Sequence, residues 1–433
     1  MLNRLRTPVA MGALSLSLTL TACGETPGAD NAAGGAGEIK ALAACAKNPS
    51  DGPMRETFLL VDAKALVRTD KAVETAQKNG WLRDLFVDVA DPVKALTSGF
   101  VAPNERVTII VLSSDGASGT RVFSGCVPGA ASNAPNGSGK SSVGAFFTGS
   151  DSDALKEQQD QFRTRLIGGL QAAAAKGDQA ASRQTGPLAA SKLFESIRNS
   201  RGLFENGTAA KRFVIVSDLS GIDGPAGEAP DAHANGAFEA GVTEGYRSAF
   251  DFELGEVYLV QPEGTNVPDR AFLDGFFLAQ SAELVSAATG RVGPGSLAPV
   301  SVETFKGNAL YPSGAQPLTL RLARDAKDQL VASWLVLLGD HPQSLPLAGT
   351  MQCASADECT VTSKNGKFSQ SWSPAPGGEP EFDDKMPFGG MRDFKLEIKN
   401  GKLTGSVSDA YVGDVGNGKN FIGIEAAKAR GGQ

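Results

Sequence analysis

Four continuous apolar runs limit the fold of this chain more than any other feature. In each run, large apolar residues fill consecutive positions instead of alternating with polar ones. Strands of parallel sheets that helices cover on both faces have this pattern, because both faces of the strand are buried. The runs lie at 57–62, 106–112, 213–218 and 256–260, and a shorter strand is expected at 120–123. The sequence therefore predicts a doubly wound, mostly parallel α/β sheet.

Stretches with helical periodicity lie between and after these runs. Their apolar residues recur every three or four positions, which places them on one face of a helix. The stretches are 73–89, 155–170, one that starts within 188–197, and 269–289. We expect the last to be one continuous helix with a core side formed by Phe272, Phe276, Leu284 and Val285.

The sequence changes character near residue 300. Helical periodicity ends, and short alternating runs follow at 318–322, 330–338, 359–362, 368–372, 394–398, 403–407 and 421–425. Asn400-Gly401 is typical of a hairpin turn, because both residues tolerate positive φ angles, and 364–367 is similar. Closely spaced strands joined by hairpins predict a C-terminal antiparallel β sandwich or small barrel over 300–433.

The N-terminus has the anatomy of a secretory signal. Arg4 and Arg6 precede an apolar stretch, 9–20, that is too short to span a bilayer. The stretch ends at Leu20-Thr21-Ala22-Cys23, which resembles the lipobox of bacterial lipoproteins. The resemblance implies that residues 1–22 are removed and that Cys23 carries fatty acyl chains such as palmitate. An ordinary signal peptide with a chance cysteine is the alternative.

Residues 23–53 are expected to form a flexible tether, because the segment from Gly24 to Gly37 is rich in Gly, Ala, Asp and Pro. The predicted domain boundaries are then 54–299 for the α/β domain and 300–433 for the β domain. A lipid anchor places the protein in the cell envelope. The residue after Cys23 is Gly24 and not Asp, and the resemblance to Gram-negative lipoproteins then implies the outer membrane, facing the periplasm or the cell surface.

Four cysteines remain besides Cys23, an even number in a compartment where disulfides persist. Cys353 and Cys359 are close enough to close a small hairpin-sized loop. That pairing leaves Cys45 with Cys126, and the two other connectivities stay open.

Acidic residues end two of the apolar runs, at Asp62 and Asp218. Ligands of doubly wound sheets bind at the carboxyl ends of the strands. Here the chain resembles a von Willebrand factor A domain, whose metal site uses Asp-x-Ser-x-Ser after the first strand, a later Thr, and an Asp after the fourth strand. Asp62, Thr185 and Asp218 occupy matching positions, but Lys64 and Leu66 replace the two serines.

The loss of two hydroxyl ligands favours an A-type domain without a cofactor. Lys64 can pair with Asp62 or Asp218 and replace the cation electrostatically. A Mg²⁺ or Mn²⁺ site at Asp62, Thr185 and Asp218 is the alternative, since Mg²⁺ prefers oxygen ligands.

Several other function classes are disfavoured. The net charge of −7 provides no basic surface for nucleic acid. Residues 134–141 match a loose phosphate-binding loop but follow a polar stretch instead of a strand, so no nucleotide is expected. We find no catalytic signature and predict that the chain is not an enzyme.

The sequence thus predicts a lipid-anchored envelope protein that recognises or assembles a protein partner through a degenerate A-type domain. The resemblance implies that the face carrying Asp62 and Asp218 mediates the contact. Two alternatives remain: a carrier of a small lipophilic ligand in the C-terminal β domain, and metal-dependent adhesion at the partial metal site.

Overall fold

The computed structural model describes residues 55–62, 105–128, 152–182, 192–204, 209–217, 219, 234–248, 250–261, 268–289, 298–311, 314–338, 343–363, 372–373, 381–382, 393–408 and 421–429. Several predictions concern residues outside these ranges. They are the signal peptide and tether, the helix at 73–89, the turn at 364–367, and the residues Cys23, Cys45, Lys64, Leu66, Thr185 and Asp218.

A six-stranded sheet forms the α/β part. Its strands are β1 (Arg55–Asp62), β2 (Arg106–Leu112), β3 (Thr120–Cys126), β4 (Ala210–Val216), β5 (Gly255–Gln261) and β6 (Ala282–Thr289). The order is β3-β2-β1-β4-β5-β6. All neighbours pair in parallel except β2 and β3, which are antiparallel. The predicted mostly parallel α/β sheet is confirmed.

Helices accompany this sheet. They are α1 (Ser152–Ser182), α2 (Leu193–Asn199), α3 (Ala234–Ser248) and α4 (Arg270–Leu278), with one 3-10 turn at Arg201–Leu203. Phe162 and Leu166 of α1 join one apolar core cluster, whereas Leu193 of α2 and Phe272 of α4 join another. Within the described ranges, no helix is both long and apolar enough to cross a bilayer.

The prediction of one helix over 269–289 is wrong. Helix α4 ends at Leu278, and Ser281 adopts a left-handed φ of 54°. The chain then enters β6, which pairs in parallel with β5 and buries Ala282 and Leu284. Leu284 and Val285 fit a helical spacing after Phe276, but pairing with a sheet edge satisfies the backbone of this segment instead.

Helix α3 was not predicted, and its contact with α4 explains why. Glycines replace apolar residues on its buried side, so the apolar spacing that signals a helix is weak. A Cβ atom at Gly241 would lie 2.0 Å from the carbonyl oxygen of Phe272, and one at Gly245 would lie 2.3 Å from that of Phe276. The two helices therefore touch backbone to backbone.

The C-terminal part forms a nine-stranded antiparallel sheet. Its strands are β7 (Pro299–Tyr311), β8 (Gly314–Asp325), β9 (Trp334–Leu337), β10 (Gln343–Pro346), β11 (Gly349–Ser355), β12 (Glu358–Ser363), β15 (Phe394–Lys399), β16 (Lys402–Ser408) and β17 (Phe421–Lys428). Their order in the sheet is β10-β9-β8-β7-β17-β16-β15-β12-β11. A separate pair joins β13 (Trp372–Ser373) and β14 (Glu381–Phe382).

The nine-stranded sheet curls until strand β11 meets the segment between β8 and β9. Leu330 N–H donates to the carbonyl of Gly349, and Met351 N–H donates to the carbonyl of Asp328, both at 2.9 Å. One continuous cluster of buried apolar side chains includes Phe305, Leu320 and Met351. The curled antiparallel sheet agrees in general with the predicted sandwich or barrel.

Two local predictions within this sheet can be compared with the structure. Asn400 and Gly401 have φ angles of 52° and 74° between β15 and β16, which confirms the hairpin turn. Cys353 and Cys359 form a disulfide between paired positions of β11 and β12. Cys126 is also disulfide-bonded, and its predicted partner, Cys45, lies outside the described residues.

Arg321 on β8 connects the curled sheet to the turn before β5. Its guanidinium donates to the carbonyls of Leu254 at 2.9 Å, Glu253 at 3.4 Å and Ala332 at 3.1 Å. Glu253 and Leu254 have left-handed φ angles of 55° and 61°. Burial lowers the pKa of Arg321 to about 10, so the side chain stays charged at neutral pH.

Candidate functional site

The carboxyl end of the six-stranded sheet carries the first predicted site residue. Strands β1 and β4 are neighbours, with Val61 paired to Val216. In this strand order the connections run outward in opposite directions from β1 and β4, which makes the gap between them the topological switch point. Asp62, the last residue of β1, therefore lies where doubly wound folds bind ligands.

Asp62 is held by the residue that follows β4. The side chain is fully buried, and the Ser217 hydroxyl donates to its Oδ2 atom at 2.9 Å. The Ser217 hydroxyl oxygen accepts the N–H of Leu219 at 3.1 Å. Leu219 has a left-handed φ of 52°, an unfavourable conformation for a side chain with a Cβ atom. The Ser217 hydroxyl therefore contacts both the Asp62 carboxylate at the end of β1 and the backbone N–H of Leu219.

A row of three polar side chains crosses the carboxyl end of the sheet. Leu60, Ile215 and Leu259 belong to the same apolar cluster, so they share one face of β1, β4 and β5. Side chains alternate along a strand, and the positions two residues later face the same side. Those positions are Asp62, Ser217 and Gln261, and all three are fully buried.

Gln261, the last residue of β5, differs from the other two members of the row. Its exposed fraction is 0%. Neither its Oε1 nor its Nε2 atom has a hydrogen-bond partner in the part of the chain that the structure describes. Single buried atoms elsewhere in the described residues share this condition, among them Glu56 Oε2 and Gln280 Oε1.

The loop after β2 borders the same end of the sheet and is fixed to α2. The Ser196 hydroxyl accepts the N–H of Ser113 at 2.9 Å and donates to the carbonyl of Ala117 at 2.7 Å. Within the loop, the Asp115 carboxylate accepts the Ser113 hydroxyl at 2.5 Å and the Ala117 N–H at 2.9 Å. These hydrogen bonds, that from Ser113 above all, lower the pKa of Asp115.

The predicted metal ligands are only partly within the described residues. Asp62 is described, whereas Thr185 and Asp218 are not. Among the described residues, no three His, Cys, Asp or Glu side chains converge as metal ligands would. Asp62 contributes one carboxylate to the described part of the site, and Ser217 contributes one hydroxyl.

Sequence reasoning missed Ser217 and Gln261. The sequence prediction selected acids at the ends of the apolar runs, Asp62 and Asp218, and therefore passed over the uncharged Ser217 and Gln261. Strand alternation is the sequence signal that could have identified these two residues, because it places positions 217 and 261 on the same face as Asp62.

A second buried polar cluster lies at the amino end of the sheet. Arg55 and Glu105 form an ion pair at 2.8 Å with both side chains 1% exposed, and the Thr57 hydroxyl also donates to Glu105. Arg212 lies 3.8 Å from a Glu256 oxygen, and its guanidinium stacks over the Tyr258 ring at 5.2 Å. Burial lowers the pKa of Arg212. This cluster pairs oppositely charged groups within the amino end of the sheet.

The chain matches no protein-family model, and no curated protein sequence matches it significantly.

Proposed function

We propose that the chain is a lipid-anchored protein of the cell envelope that recognises a protein partner through the carboxyl end of its six-stranded sheet. The sheet would serve as a degenerate A-type domain, in which hydrogen-bonding side chains replace the family's metal ion. The nine-stranded sheet would support the six-stranded sheet through the contact between Arg321 and the turn before β5.

One observation carries the proposal. Asp62 ends a central strand at the switch point, and Ser217 of the adjacent strand fixes its carboxylate at 2.9 Å. The carboxylate itself is fully buried, so it supports the recognition surface from below by joining the ends of β1 and β4, at the edge where ligands of this fold class bind. The N–H of Leu219 donates to the same serine at 3.1 Å, so the residue two positions after Ser217 is held to this end of the sheet as well.

The alternative of a lipophilic carrier has less support. A carrier of the lipocalin type encloses a cavity within its β sheet. Phe305, Leu320 and Met351, from three separate strands, belong to one packed cluster in the curled sheet and are almost fully buried. The described side chains of the curled sheet thus form a packed core, as expected of a structural domain.

Site-specific cross-linking in the intact envelope tests the recognition surface. A photoreactive amino acid at Ser118, exposed on the loop after β2, should form an adduct with one discrete protein. The same amino acid at Thr360, exposed on the outer face of β12, should not. The adduct should weaken when Asp62→Ala is added. Adducts from Thr360 alone, or an adduct that Asp62→Ala leaves unchanged, would contradict the proposal.

The lipid anchor is tested separately. Cys23→Ala should abolish incorporation of labelled palmitate and move the protein from the membrane fraction to the soluble fraction, because acyl chains supply the membrane affinity. Cys359→Ala is the matched control and should keep the label. Membrane association that survives Cys23→Ala would contradict the anchor.

A further inference from the structure

Three exposed arginines lie together at the β3 edge of the six-stranded sheet, and we call them the arginine cluster. Arg121 lies on β3, Arg198 on α2 and Arg201 in the 3-10 turn that follows α2. The guanidinium of Arg121 donates to the carbonyl of Leu203 at 3.3 Å, which places it beside that turn. Arg198 and Arg201 are three positions apart in consecutive helical turns, so they lie on the same side.

A β-bulge directs Arg121 towards this cluster. Ile109 pairs with Phe123, but the next residue, Ile110, pairs with Arg121, so Val122 is an extra residue in β3. In a regular strand, side chains alternate and Arg121 would share the face of Phe123. The bulge turns Arg121 instead to the face of Ile110, whose apolar cluster includes the buried residues of α2.

Hydrogen bonds and aromatic packing fix the elements that carry the arginine cluster. The Ser200 hydroxyl accepts the N–H of Gly119 at 2.7 Å and donates to the carbonyl of Ser196 at 2.6 Å, which joins the start of β3 to α2. Phe204, directly after the 3-10 turn, packs edge-on against Phe58 of β1, with 5.2 Å between the ring centroids. The arginines thus project from a fixed surface, so a ligand would have little backbone to order on binding.

The positive charge of the arginine cluster is not offset by neighbouring acids. Among the described residues, no carboxylate forms an ion pair with any of its three guanidiniums. Glu195 of α2 pairs instead with Lys192, at 3.6 Å. Asp115 accepts hydrogen bonds from its own loop. In a chain with a net charge of −7, three neighbouring cations without acidic partners form a surface that is complementary to an anion.

We propose that the arginine cluster binds an acidic segment of the protein partner, rich in Asp and Glu. This inference rests on the proposed function and specifies the chemistry of the partner. A guanidinium donates two parallel hydrogen bonds to a carboxylate, and Arg is enriched in protein interfaces whereas Lys is depleted. The cluster also borders the loop that holds Ser118 at the carboxyl end of the sheet, because Thr120 of β3 pairs with Val111 of β2.

Other anionic macromolecules fit this surface less well. Membrane surfaces rich in anionic lipid are bound by larger basic clusters, of roughly four to eight Lys or Arg. Nucleic acid would be repelled by the net negative charge of the chain. A short acidic protein segment matches three arginines in both charge and size.

Fluorescence anisotropy with a labelled oligoglutamate peptide tests the arginine cluster on the purified Cys23→Ala protein, which lacks the proposed lipid. We expect binding at about 50 mM salt that weakens as the salt concentration rises, because salt screens exposed charges. Replacing Arg121, Arg198 and Arg201 together by Gln should weaken binding at least about tenfold, since each exposed ion pair contributes a few-fold. Replacing all three by Lys keeps the charge without the planar fork and should give an intermediate affinity.

The matched control removes the same charge from another surface. Lys395, Lys399 and Lys402 are exposed on the hairpin of β15 and β16, and replacing them together by Gln should leave peptide binding unchanged. Circular dichroism of each variant checks that the fold is retained. Equal losses in the two glutamine variants, or no binding of the peptide to the parent protein, would overturn the proposal.

Two further measurements separate the arginine cluster from its alternatives. Arginine-dependent binding to phosphatidylglycerol vesicles, without binding to the peptide, would overturn the acidic segment in favour of a membrane surface. A Ser118 adduct that the three Arg→Gln changes leave intact would overturn the role of the cluster but keep the recognition surface. Arginine-dependent peptide binding without any Ser118 adduct would instead keep the cluster and contradict the proposed function.

Discussion

The two ends of the six-stranded sheet both bury polar side chains but hold them differently. At the amino end, opposite charges pair: Arg55 and Glu105 lie 2.8 Å apart, with both side chains 1% exposed. At the carboxyl end, the Asp62 carboxylate accepts a hydrogen bond from the uncharged Ser217 hydroxyl, and neither amide atom of Gln261 has a hydrogen-bond partner in the described part of the chain. Because an unpaired buried charge costs more than a lost neutral hydrogen bond, the loss of one partner should cost more at the amino end than at the carboxyl end.

The largest effect is expected at the amino end. Glu105→Ala leaves the Arg55 guanidinium buried without its carboxylate, which should lower the free energy of unfolding by about 3–5 kcal/mol. Urea denaturation followed by circular dichroism measures the loss.

Two further variants sharpen this prediction. Lys428→Ala removes one side of a more exposed ion pair with Glu303, at 3.3 Å, and should cost less than about 1 kcal/mol. Replacing Arg55 and Glu105 together by Met should restore most of the stability, because no unpaired charge remains. A double variant as unstable as Glu105→Ala would show that lost packing, and not an unpaired charge, causes the loss of stability at the amino end of the sheet.

The next effect is expected at Arg321, which attaches the curled sheet to the same end. Arg321→Met leaves the carbonyls of Leu254, Glu253 and Ala332 without their donor, which should cost about 2–4 kcal/mol. Calorimetry should also resolve two unfolding transitions if this contact couples the two sheets. Arg324→Met is the control, because within the described residues the Arg324 side chain pairs with the partly exposed Asp328 nearby in the chain, and a similar loss there would contradict a special role for Arg321.

The sequence predicted the central strands well for a physical reason. Strands β1, β2, β4 and β5 are buried on both faces, so their apolar runs are continuous and unambiguous. Strand β6 has small and partly exposed residues after Leu284, and α3 buries glycines instead of large side chains. Their identity depends on tertiary contacts with β5 and α4, which no local pattern contains.

The site was predicted only in part. Asp62 was found because an acid at the end of an apolar strand is a local signal. Ser217 and Gln261 are common polar residues, and their importance arises from the alignment of three strands that are distant in the chain. That alignment depends on the order and register of the strands, which no local sequence pattern contains.

A moderate effect is expected at the carboxyl end. Ser217→Ala removes the donor to Asp62 and the acceptor for Leu219 N–H, and it should lower the free energy of unfolding by about 1–2 kcal/mol. Ser217→Thr keeps the hydroxyl and should restore part of the stability. In an Asp62→Ala background, the Ser217→Ala change should cost less, because the two groups are coupled. Equal costs in both backgrounds would show that Ser217 acts on the backbone alone.

The smallest effect is expected at Asp115, on the exposed loop beside the carboxyl end. Hydrogen bonds from the Ser113 hydroxyl and the Ala117 N–H hold the pKa of Asp115 below its ordinary value of 3.8. A carboxyl group with a lowered folded-state pKa contributes stability above its unfolded pKa, and this contribution is lost as the pH falls through the folded pKa. Because Asp115 is exposed and solvent screens its interactions, Asp115→Ala should cost at most about 0.5 kcal/mol at pH 7. The difference from wild type should shrink as the pH falls below 3.8 and reach zero below the lowered folded-state pKa. Urea unfolding at both pH values measures it; a difference that persists in acid would mean that the loop depends on the shape of Asp115 and not on its charge.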